Sequence, residues 1–434
     1  MTNMEVKIIL EPMNTKYLPR IADKNLEQAL KTSGAVLIAG PKWCGKTRTA
    51  EEMAKSVLYM QDPDHTAEYK LLANAKPSKL LEGETPRLLD EWQVAPVLWN
   101  AVRFAVDKRR RRGQFILTGS VIPPQADDMH TGTGRISRMT MRTMSLFESG
   151  ESTGQISLTD LFNGETDMLG ESRLSVEQMA FALTRGGWPE AVIEKKQKYA
   201  LQMVYNYLDA VANQDISSID GVERNPDRVY SLLRSMSRNI STQAATSTIV
   251  KDLILNDESL SNKTIDGYIS ALKKLYVVED LTAWSPHLRS KRAIRTTAKR
   301  HFTDPSIAAA SLRADASKLM SDFNTFGFLF ESLCIRDLRI YTDSIYGKVY
   351  HYRDQLDNEI DAVIQLKDER WGAVEIKMGA GEIEKAAENL IKFSNNIDAG
   401  KMQMPSFLMV LTATEFAFQM DNGVWVVPLA CLRN

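Results

Sequence analysis

The sequence predicts an α/β protein that begins with a parallel β-sheet flanked by helices. Three short apolar runs support this prediction, at residues 35–39, 86–91 and 115–120. Each has the length and composition of a buried parallel strand. Helical patterns follow the first two runs, at residues 47–58 and 95–106. Because strands that alternate with helices are typical of parallel sheets, we expect these three strands to belong to one sheet.

The most informative motif lies between the first strand and its helix. It is Gly40-Pro41-Lys42-Trp43-Cys44-Gly45-Lys46-Thr47, which fits the phosphate-loop pattern Gly-x-x-x-x-Gly-Lys-Ser/Thr at every fixed position. Glycines let backbone N–H groups close around phosphate oxygens, and the helix N-terminus adds its positive end at the same place. We therefore expect these residues and Arg48 to bind ATP. Lys46 is expected to reach the β- and γ-phosphates, and the Thr47 hydroxyl to hold Mg²⁺.

The second apolar run ends in two acids, Asp90 and Glu91. Asp90 is expected to position Mg²⁺, and Glu91 to polarise the attacking water, so that Glu91 and Lys46 are the catalytic candidates of this part of the chain. Two adjacent acids are also common at solvated turns. Their place downstream of a phosphate loop and ahead of a helix favours the catalytic interpretation.

Three further residues are candidates near the nucleotide. Thr118 lies where the third strand ends in small polar residues, and a side chain there would sense the nucleotide. Arg135 would stabilise charge on the transferring phosphoryl group, in its own subunit or in a neighbour, and an ordinary surface arginine is the alternative. Cys44 is a thiol inside an anion-binding loop, so we expect it to be a reactive thiolate that bound ATP protects.

Length and composition indicate a globular protein with several domains. A chain of 434 residues is long for a single core, and its apolar share of 44% and charged share of 25% are ordinary for soluble proteins. We find no apolar run long enough to cross a membrane and no secretory signal, and the three cysteines are far apart, so a cytoplasmic location is expected. The net charge of −1 means that any nucleic acid must bind local basic patches.

The middle of the chain is expected to be helical. Residues 161–240 form a predicted helical lid. Two short helical patterns at 247–256 and 262–275 precede two apolar segments, which is the order of a winged helix spanning 241–305. Its predicted wing contains the basic residues Arg289, Lys291, Arg292, Arg295, Lys299 and Arg300. Such a wing could bind DNA phosphates, and a wing used only for packing is the alternative.

The last part of the chain, residues 306–434, contains a possible metal site. Glu375 and Lys377 lie two apart on a predicted strand, so they share a face, and Asp361 on the neighbouring strand can face them. Asp followed by Glu-x-Lys is the constellation of the restriction-endonuclease fold, in which carboxylates hold Mg²⁺ and the lysine, a catalytic candidate, activates water. Glu331 would be a third carboxylate ligand. An ion-paired strand face is the alternative.

Together these motifs resemble the bacterial and archaeal family of AAA-type ATPases that carry a C-terminal domain of unknown function. The resemblance covers nearly the whole chain. It rests on short pieces in a fixed order: Tyr17-Leu18-Pro19-Arg20, the phosphate loop, Leu89-Asp90-Glu91-Trp92-Gln93, Leu117-Thr118-Gly119-Ser120, Gly132-Thr133-Gly134-Arg135, Arg185-Gly186-Gly187-Trp188-Pro189, Phe330-Glu331, Tyr352-Arg353 and Val374-Glu375-Ile376-Lys377.

The resemblance implies an AAA-like P-loop domain at 1–160, followed by the helical lid, the winged helix and a restriction-endonuclease-like domain. It implies that Lys46 and Thr47 contact the nucleotide and Mg²⁺, that Asp90 and Glu91 act as a pair, and that Asp361, Glu375 and Lys377 occupy nuclease-like positions. Trp43 and Cys44 are bulkier than the residues often found inside such loops.

Two hypotheses about function follow. In the first, a Mg²⁺-dependent ATPase is coupled to a nucleic-acid-directed, nuclease-like C-terminal domain. In the second, ATP sets the conformation of a regulatory or partner-binding switch whose nuclease-like domain is inactive. The expected partners are ATP and, through the basic wing and the C-terminal domain, DNA. A homo-oligomer is left open, and no membrane contact is expected.

Overall fold

The computed structural model describes residues 17–120, 131–254, 261–285, 297–354, 358–397 and 402–434. Within these ranges the chain is a mixed α/β structure with two larger sheets. Helices and strands alternate through the first of them, as the sequence predicts. None of the helices in the described ranges has the length and apolar character needed to span a membrane.

The first sheet has five parallel strands. They are β1 (Ala35–Ala39), β2 (Ser56–Tyr59), β3 (Arg87–Asp90), β4 (Phe115–Gly119) and β5 (Ile136–Thr140), in the order β2-β3-β4-β1-β5. Strands β1 and β4 are buried along their full length, because helices cover both faces of the sheet. All neighbours in this order are parallel, so the carboxyl ends of β1, β3 and β4 meet at one edge.

The helices of this part are α1 (Ile21–Thr32), α2 (Lys46–Glu51), α3 (Thr66–Ala75) and α4 (Val97–Arg109). The prediction of one helix over 47–58 is wrong, since α2 ends at Glu51 and β2 follows it. Val57 and Leu58 pair with β3, and Leu58 is buried there. Tertiary pairing at the sheet edge has therefore overridden the helical pattern.

The middle of the chain is mainly helical. Its helices are α5 (Leu158–Asn163), α6 (Val176–Arg185), α7 (Pro189–Ile193), α8 (Gln197–Ala210), α9 (Ile216–Ser218), α10 (Pro226–Arg238), α11 (Thr246–Ile254) and α12 (Asn262–Lys274). A π-helical turn, Val211–Asp215, joins α8 to α9. Helix α12 is capped by Ser261, whose hydroxyl accepts a hydrogen bond from the Thr264 backbone N–H.

An antiparallel hairpin follows α12. It consists of β8 (Val278–Leu281) and β9 (Lys299–Phe302). Helix, helix and hairpin thus occur in the predicted order, while the assignment of a winged helix stays a prediction. Four of the predicted wing cations lie outside the described residues: Arg289, Lys291, Arg292 and Arg295.

The second sheet is assembled mostly from the last part of the chain. Helices α13 (Pro305–Ser311), α14 (Ala316–Ser321) and α15 (Phe323–Asp343) precede it, and α16 (Ile383–Asn395) packs on it. Its strands are β7 (Gly170–Glu171), β10 (Gly347–Arg353), β11 (Glu359–Leu366), β12 (Trp371–Lys377), β13 (Phe407–Thr412), β14 (Phe416–Gln419) and β15 (Trp425–Pro428), in the order β10-β11-β12-β13-β15-β14-β7.

Strand pairing crosses the domain boundaries predicted at residues 160 and 306. Strand β7 lies within the predicted lid but pairs with β14, and β6 (Ile156–Ser157) pairs with β16 (Leu432–Arg433). One hydrophobic core also contains buried side chains from Ile21 to Leu432. The polar stretch between the two larger sheets therefore adds strands to the C-terminal part, and those two boundaries do not separate independent cores.

Candidate functional site

The phosphate loop runs from the end of β1 to the start of α2. Gly45 has a φ of +97°, a left-handed conformation that favours glycine. A Cβ atom at Gly40 would lie 2.0 Å from the Met141 carbonyl oxygen, so only glycine fits there. The two fixed glycines of the motif are thus required by the path of the backbone.

Lys46 is buried inside the loop, with 5% of its surface exposed. Its Nζ donates hydrogen bonds to the carbonyl oxygens of Gly40, at 3.1 Å, and Pro41, at 2.7 Å. These two carbonyl oxygens thus accept the hydrogen bonds that phosphate oxygens would accept from Lys46 in a nucleotide complex. Lys46 thus lies inside the phosphate loop, and its contact with a nucleotide stays a prediction.

Three side chains from separate elements meet beside Lys46. The hydroxyls of Thr47 on α2 and Thr118 on β4 each donate to Oδ1 of Asp90, both at 2.7 Å. The Glu91 backbone N–H in turn donates to the Thr118 hydroxyl at 3.1 Å. A hydroxyl and a carboxylate side by side are the hard oxygen donors that Mg²⁺ prefers, so Thr47 and Asp90 fit the predicted metal.

The carboxylate of Glu91 is held from two sides. Ser120 Oγ donates to its Oε1 at 3.0 Å, and Gln93 Nε2 donates to its Oε2. Glu91 itself adopts a left-handed conformation, with φ of 52°. Gln93 was not predicted to take part in the site. Its only signal in the sequence is its place two residues after the acidic pair.

Two residues of the loop contact the helical region. The Lys42 ammonium forms an ion pair with Asp215 at the end of the π-helical turn, with an Nζ–Oδ1 distance of 2.6 Å. The Trp43 ring is half exposed, and its centroid lies 5.8 Å from the ring centroid of Tyr207 on α8. The phosphate loop is therefore in direct contact with the predicted lid, through a residue, Asp215, that no sequence pattern indicated.

The second candidate site lies between β11, β12, α15 and α16. Lys377 Nζ is 3.0 Å from Oε2 of Glu375 and 3.5 Å from Oδ2 of Asp361. Asn389 on α16 donates to Oε1 of Glu375 at 2.7 Å. These residues line an open cavity of about 600 Å³. The structure thus brings together the three residues that the strand pattern predicts.

Lys299 on β9 also enters this cluster. Its ammonium is 3.0 Å from Oε1 of Glu331, 2.8 Å from Oε1 of Glu359 and 3.7 Å from Oδ1 of Asp361. Only 3% of its side chain is exposed. No sequence pattern indicated this contact, because Lys299 lies in a basic stretch that is typical of a DNA-binding wing.

Burial sets the ionisation of the carboxyl groups in the cluster. Burial and the neighbouring Asp361 raise the pKa of Glu375 to about 8 and that of Glu331 to about 7. For Asp361, burial opposes ionisation, but the ammonium groups of Lys377 and Lys299 lower its pKa overall. Negative charge is therefore favoured on Asp361, next to two cations.

Comparisons with known proteins distinguish three parts of the chain. Residues 32–149 match the AAA domain. Residues 176–318 match a domain of unknown function, DUF8612, and residues 326–432 match another, DUF4143. The AAA match supports an AAA-type P-loop ATPase, which confirms the coarser form of the predicted resemblance. It gives no support to a restriction-endonuclease-like function in the last part.

Two relatives match over most of this chain. The uncharacterized proteins Mb2031c of Mycobacterium bovis and Rv2008c of Mycobacterium tuberculosis are each 21% identical over 94% of this chain and 83% of their own length. Among solved structures, the Walker-type ATPase PABY2304 of Pyrococcus abyssi matches 70% of this chain and 99% of its own, with 14% identity and a TM-score of 0.41.

The structure contradicts the reactive thiol predicted at Cys44. The side chain is fully buried, and its Sγ faces the Met141 carbonyl oxygen at 3.5 Å. It packs in a core cluster with Val36 and Ile38. The backbone of Cys44 is buried as well, and its carbonyl oxygen accepts a hydrogen bond from Arg20.

Arg135 cannot reach the phosphate loop of its own chain. Its carbonyl oxygen accepts a hydrogen bond from Ala35 N–H, which places it at the amino end of β1. The loop begins at the carboxyl end of that strand, about 16 Å away at 3.3 Å per residue. The Arg135 guanidinium pairs instead with Asp107 at 2.8 Å. Its predicted action on a neighbouring subunit stays a prediction.

Arg48 also points to the outside of α2. Its Nη1 pairs with Oε2 of Glu51 at 2.9 Å, and the side chain is exposed. This contact does not bring the guanidinium toward Lys46 or Thr47. The predicted contact of Arg48 with the nucleotide stays a prediction.

The predicted metal site of the second cluster does not fit the residues present. Among the described residues, no three acidic, histidine or cysteine side chains are grouped as metal ligands. The Lys299 ammonium lies between the carboxylates of Glu331 and Asp361, where the prediction places Mg²⁺ with Glu375. The assignment of these three carboxylates to a metal is therefore corrected to an ion-paired cluster.

Two predicted wing cations are likewise used inside the protein. Lys299 is buried in the acidic cluster. Arg300 donates hydrogen bonds to the Ala244 carbonyl oxygen and the Thr246 hydroxyl. The buried Lys299 side chain is not presented to an external phosphate, and the predicted DNA contact of the wing stays a prediction.

Proposed function

We propose that the chain is an ATP-binding protein that hydrolyses ATP with Mg²⁺ at the carboxyl edge of its five-stranded sheet. The observation that carries this proposal is the convergence of Lys46, Thr47, Asp90 and Glu91 around one glycine loop. The fold positions these residues from α2 and β3, with Thr118 of β4 joining them. The match to the AAA domain supports the same activity.

Each residue has a distinct role in this proposal. The Lys46 ammonium exchanges the carbonyl oxygens of Gly40 and Pro41 for phosphate oxygens, so the loop opens toward the nucleotide. Thr47 and Asp90 would hold Mg²⁺, which supplies positive charge to the β- and γ-phosphates. Glu91, oriented by Ser120 and Gln93, accepts a hydrogen bond from the attacking water and aligns it with the γ-phosphate.

The experiment that tests this proposal separates nucleotide binding from hydrolysis. Lys46→Ala should weaken ATP binding, measured by calorimetry, because the phosphates lose their buried cation. Glu91→Gln should retain binding and lose about 10²-fold or more in single-turnover hydrolysis. Lys55→Ala, at an exposed lysine just after α2, is the control and should leave both unchanged. Full turnover in Glu91→Gln would contradict the assigned role.

We further propose that ATP acts on the helical region as a switch. The loop is joined to that region through the Lys42–Asp215 ion pair and the Trp43–Tyr207 ring contact. The phosphates of a bound nucleotide would attract the Lys42 ammonium and so compete with Asp215 for it. ATP binding should therefore change the contact between the phosphate loop and the helical region. These contacts favour the switch hypothesis over direct action on nucleic acid.

A metal-dependent nuclease at Asp361, Glu375 and Lys377 is not part of this proposal, because the Lys299 ammonium lies where its metal would bind. Incubation of the protein with plasmid DNA and Mg²⁺, with and without ATP, should therefore give no cleavage. Cleavage that is lost in a Lys377→Ala variant would contradict this expectation.

A further inference from the structure

The acidic cluster of the second site has its cation supplied from elsewhere in the fold. Asp361 and Glu375 lie on β11 and β12, and Glu331 lies on α15. Lys299 reaches them from β9, whose backbone is fixed by pairing with β8. Lys299 thus lies on a strand, β9, that contributes no carboxylate to the cluster.

The carboxylate oxygens that would face a metal already have partners. Oδ1 of Asp361 faces Lys299, and its Oδ2 accepts a hydrogen bond from the Ile376 backbone N–H at 2.8 Å. Glu375 uses one oxygen for Lys377 and the other for Asn389. A divalent metal would have to displace these partners, and it would also meet the repulsion of the ammonium groups.

Charge in the cluster is also balanced without a metal. Two ammonium groups, of Lys299 and Lys377, face the carboxyl groups of Glu331, Glu359, Asp361 and Glu375. Burial favours the neutral form of Glu331 and of Glu375. Two cations then face two anions, which is the condition under which a buried ionic cluster is tolerated.

We propose that the Lys299 ammonium is the resident cation of this cluster and excludes divalent metal ions from it. The cluster takes up a metal only when Lys299 is removed. This inference is independent of the ATPase proposal, because it concerns a site that shares no residue with the phosphate loop. It predicts that metal binding at this position is gained by mutation and is absent from the native chain.

The test counts Mn²⁺ ions bound to the full-length protein without nucleotide, by electron paramagnetic resonance. The wild type should bind no Mn²⁺ that depends on Asp361. The variant Lys299→Met/Glu359→Gln removes one cation and one of the two anions that face it, so its cluster stays balanced and the fold should be kept. It should bind one additional Mn²⁺ per chain.

The matched control adds Asp361→Asn to this double variant, which should abolish the additional Mn²⁺. Any Mn²⁺ bound at Asp90 and Thr47 is common to all these proteins and cancels in the comparison. Wild-type Mn²⁺ binding that disappears in Asp361→Asn would overturn the proposal, whether or not the double variant folds. A folded double variant that binds no additional Mn²⁺ would overturn it as well.

Discussion

At the scale of single residues, each site includes a group from a distant part of the chain. Asp215 pairs with Lys42 of the phosphate loop, and Lys299 pairs with Glu331 in the acidic cluster.

His351 provides a prediction about pH at this scale. It is fully buried, and burial together with the nearby Lys299 ammonium lowers its pKa to about 4. The unfolded chain, with a histidine pKa near 6.5, therefore binds the proton more tightly than the folded chain. Folding stability should fall as the pH decreases from about 6.5 to 4, by up to about 1.4 kcal/mol per pH unit for this group.

Denaturant titrations between pH 7 and 4 measure this effect. His351→Gln should give a shallower decline than the wild type, because the site no longer gains a proton on unfolding. His65→Gln is the matched control, since His65 is exposed in the folded chain. A decline of equal slope in His351→Gln and the wild type would show that His351 does not contribute.

The residues proposed to act at the phosphate loop could be predicted because they are near one another in sequence. Lys46 and Thr47 belong to one motif, and Asp90 and Glu91 to another. Asp215 and Lys299 reach their sites only through tertiary contacts, which no local pattern marks.

At the scale of elements, the contact between the phosphate loop and the π-helical turn gives an asymmetric prediction. Asp215 has a side chain that is 10% exposed, whereas that of Lys42 is 46% exposed. Lys42→Met leaves a nearly buried carboxylate without its cation, which costs about 1–3 kcal/mol. Asp215→Asn leaves an ammonium that water can solvate, so it should cost less.

Urea unfolding of the two single variants and of the double variant measures this asymmetry. The double variant should be more stable than Lys42→Met alone, because Asp215→Asn removes the uncompensated charge. Equal losses in the two single variants, or simple additivity in the double variant, would show that the pair does not hold the loop against the helices.

Helices and strands were predicted correctly where a single hydrophobic pattern dominates the segment. Strands β1 and β4 are continuous apolar runs, and α12 has both a cap and an amphipathic pattern. Strand β2 was missed because Ser56–Tyr59 follows a helix without a glycine or proline to separate them. What makes it a strand is its pairing with β3, and a pairing partner 31 residues away leaves no local signal.

At the scale of the whole molecule, a buried ion network joins residues that follow the first sheet to the helix α15 that precedes the second. Arg336 on α15 pairs with Asp304 at 3.0 Å and with Asp337 at 2.7 Å. Asp304 also accepts hydrogen bonds from the Thr143 hydroxyl and the Gly187 N–H. The Asp304 carboxylate is therefore shared by three parts of the chain. They are Thr143 after the first sheet, Gly187 in the helical region and Arg336 on α15.

Removing Arg336 should destabilise the molecule as a whole. Arg336→Met leaves two fully buried carboxylates without a cation, and such a loss costs about 3–5 kcal/mol. Because the network connects the parts of the chain that carry the two sheets, calorimetry should show all transitions moving to lower temperature together. Thr143→Val, which removes one neutral hydrogen bond to Asp304, should have a smaller effect. A shift confined to one transition would mean that the two parts unfold independently.

The pairing of β6 with β16 has a consequence for synthesis on the ribosome. The Ser157 hydroxyl donates to the Asn434 carbonyl oxygen across 277 positions of sequence. At about 5–20 residues per second, translation of the intervening chain takes roughly 15–55 s. The strands of the first sheet can pair within that interval. The backbone groups of β6 stay without their partners until β16 has been synthesised. This delay exposes an edge to other nascent chains, and it sets a period in which a chaperone would be of most use.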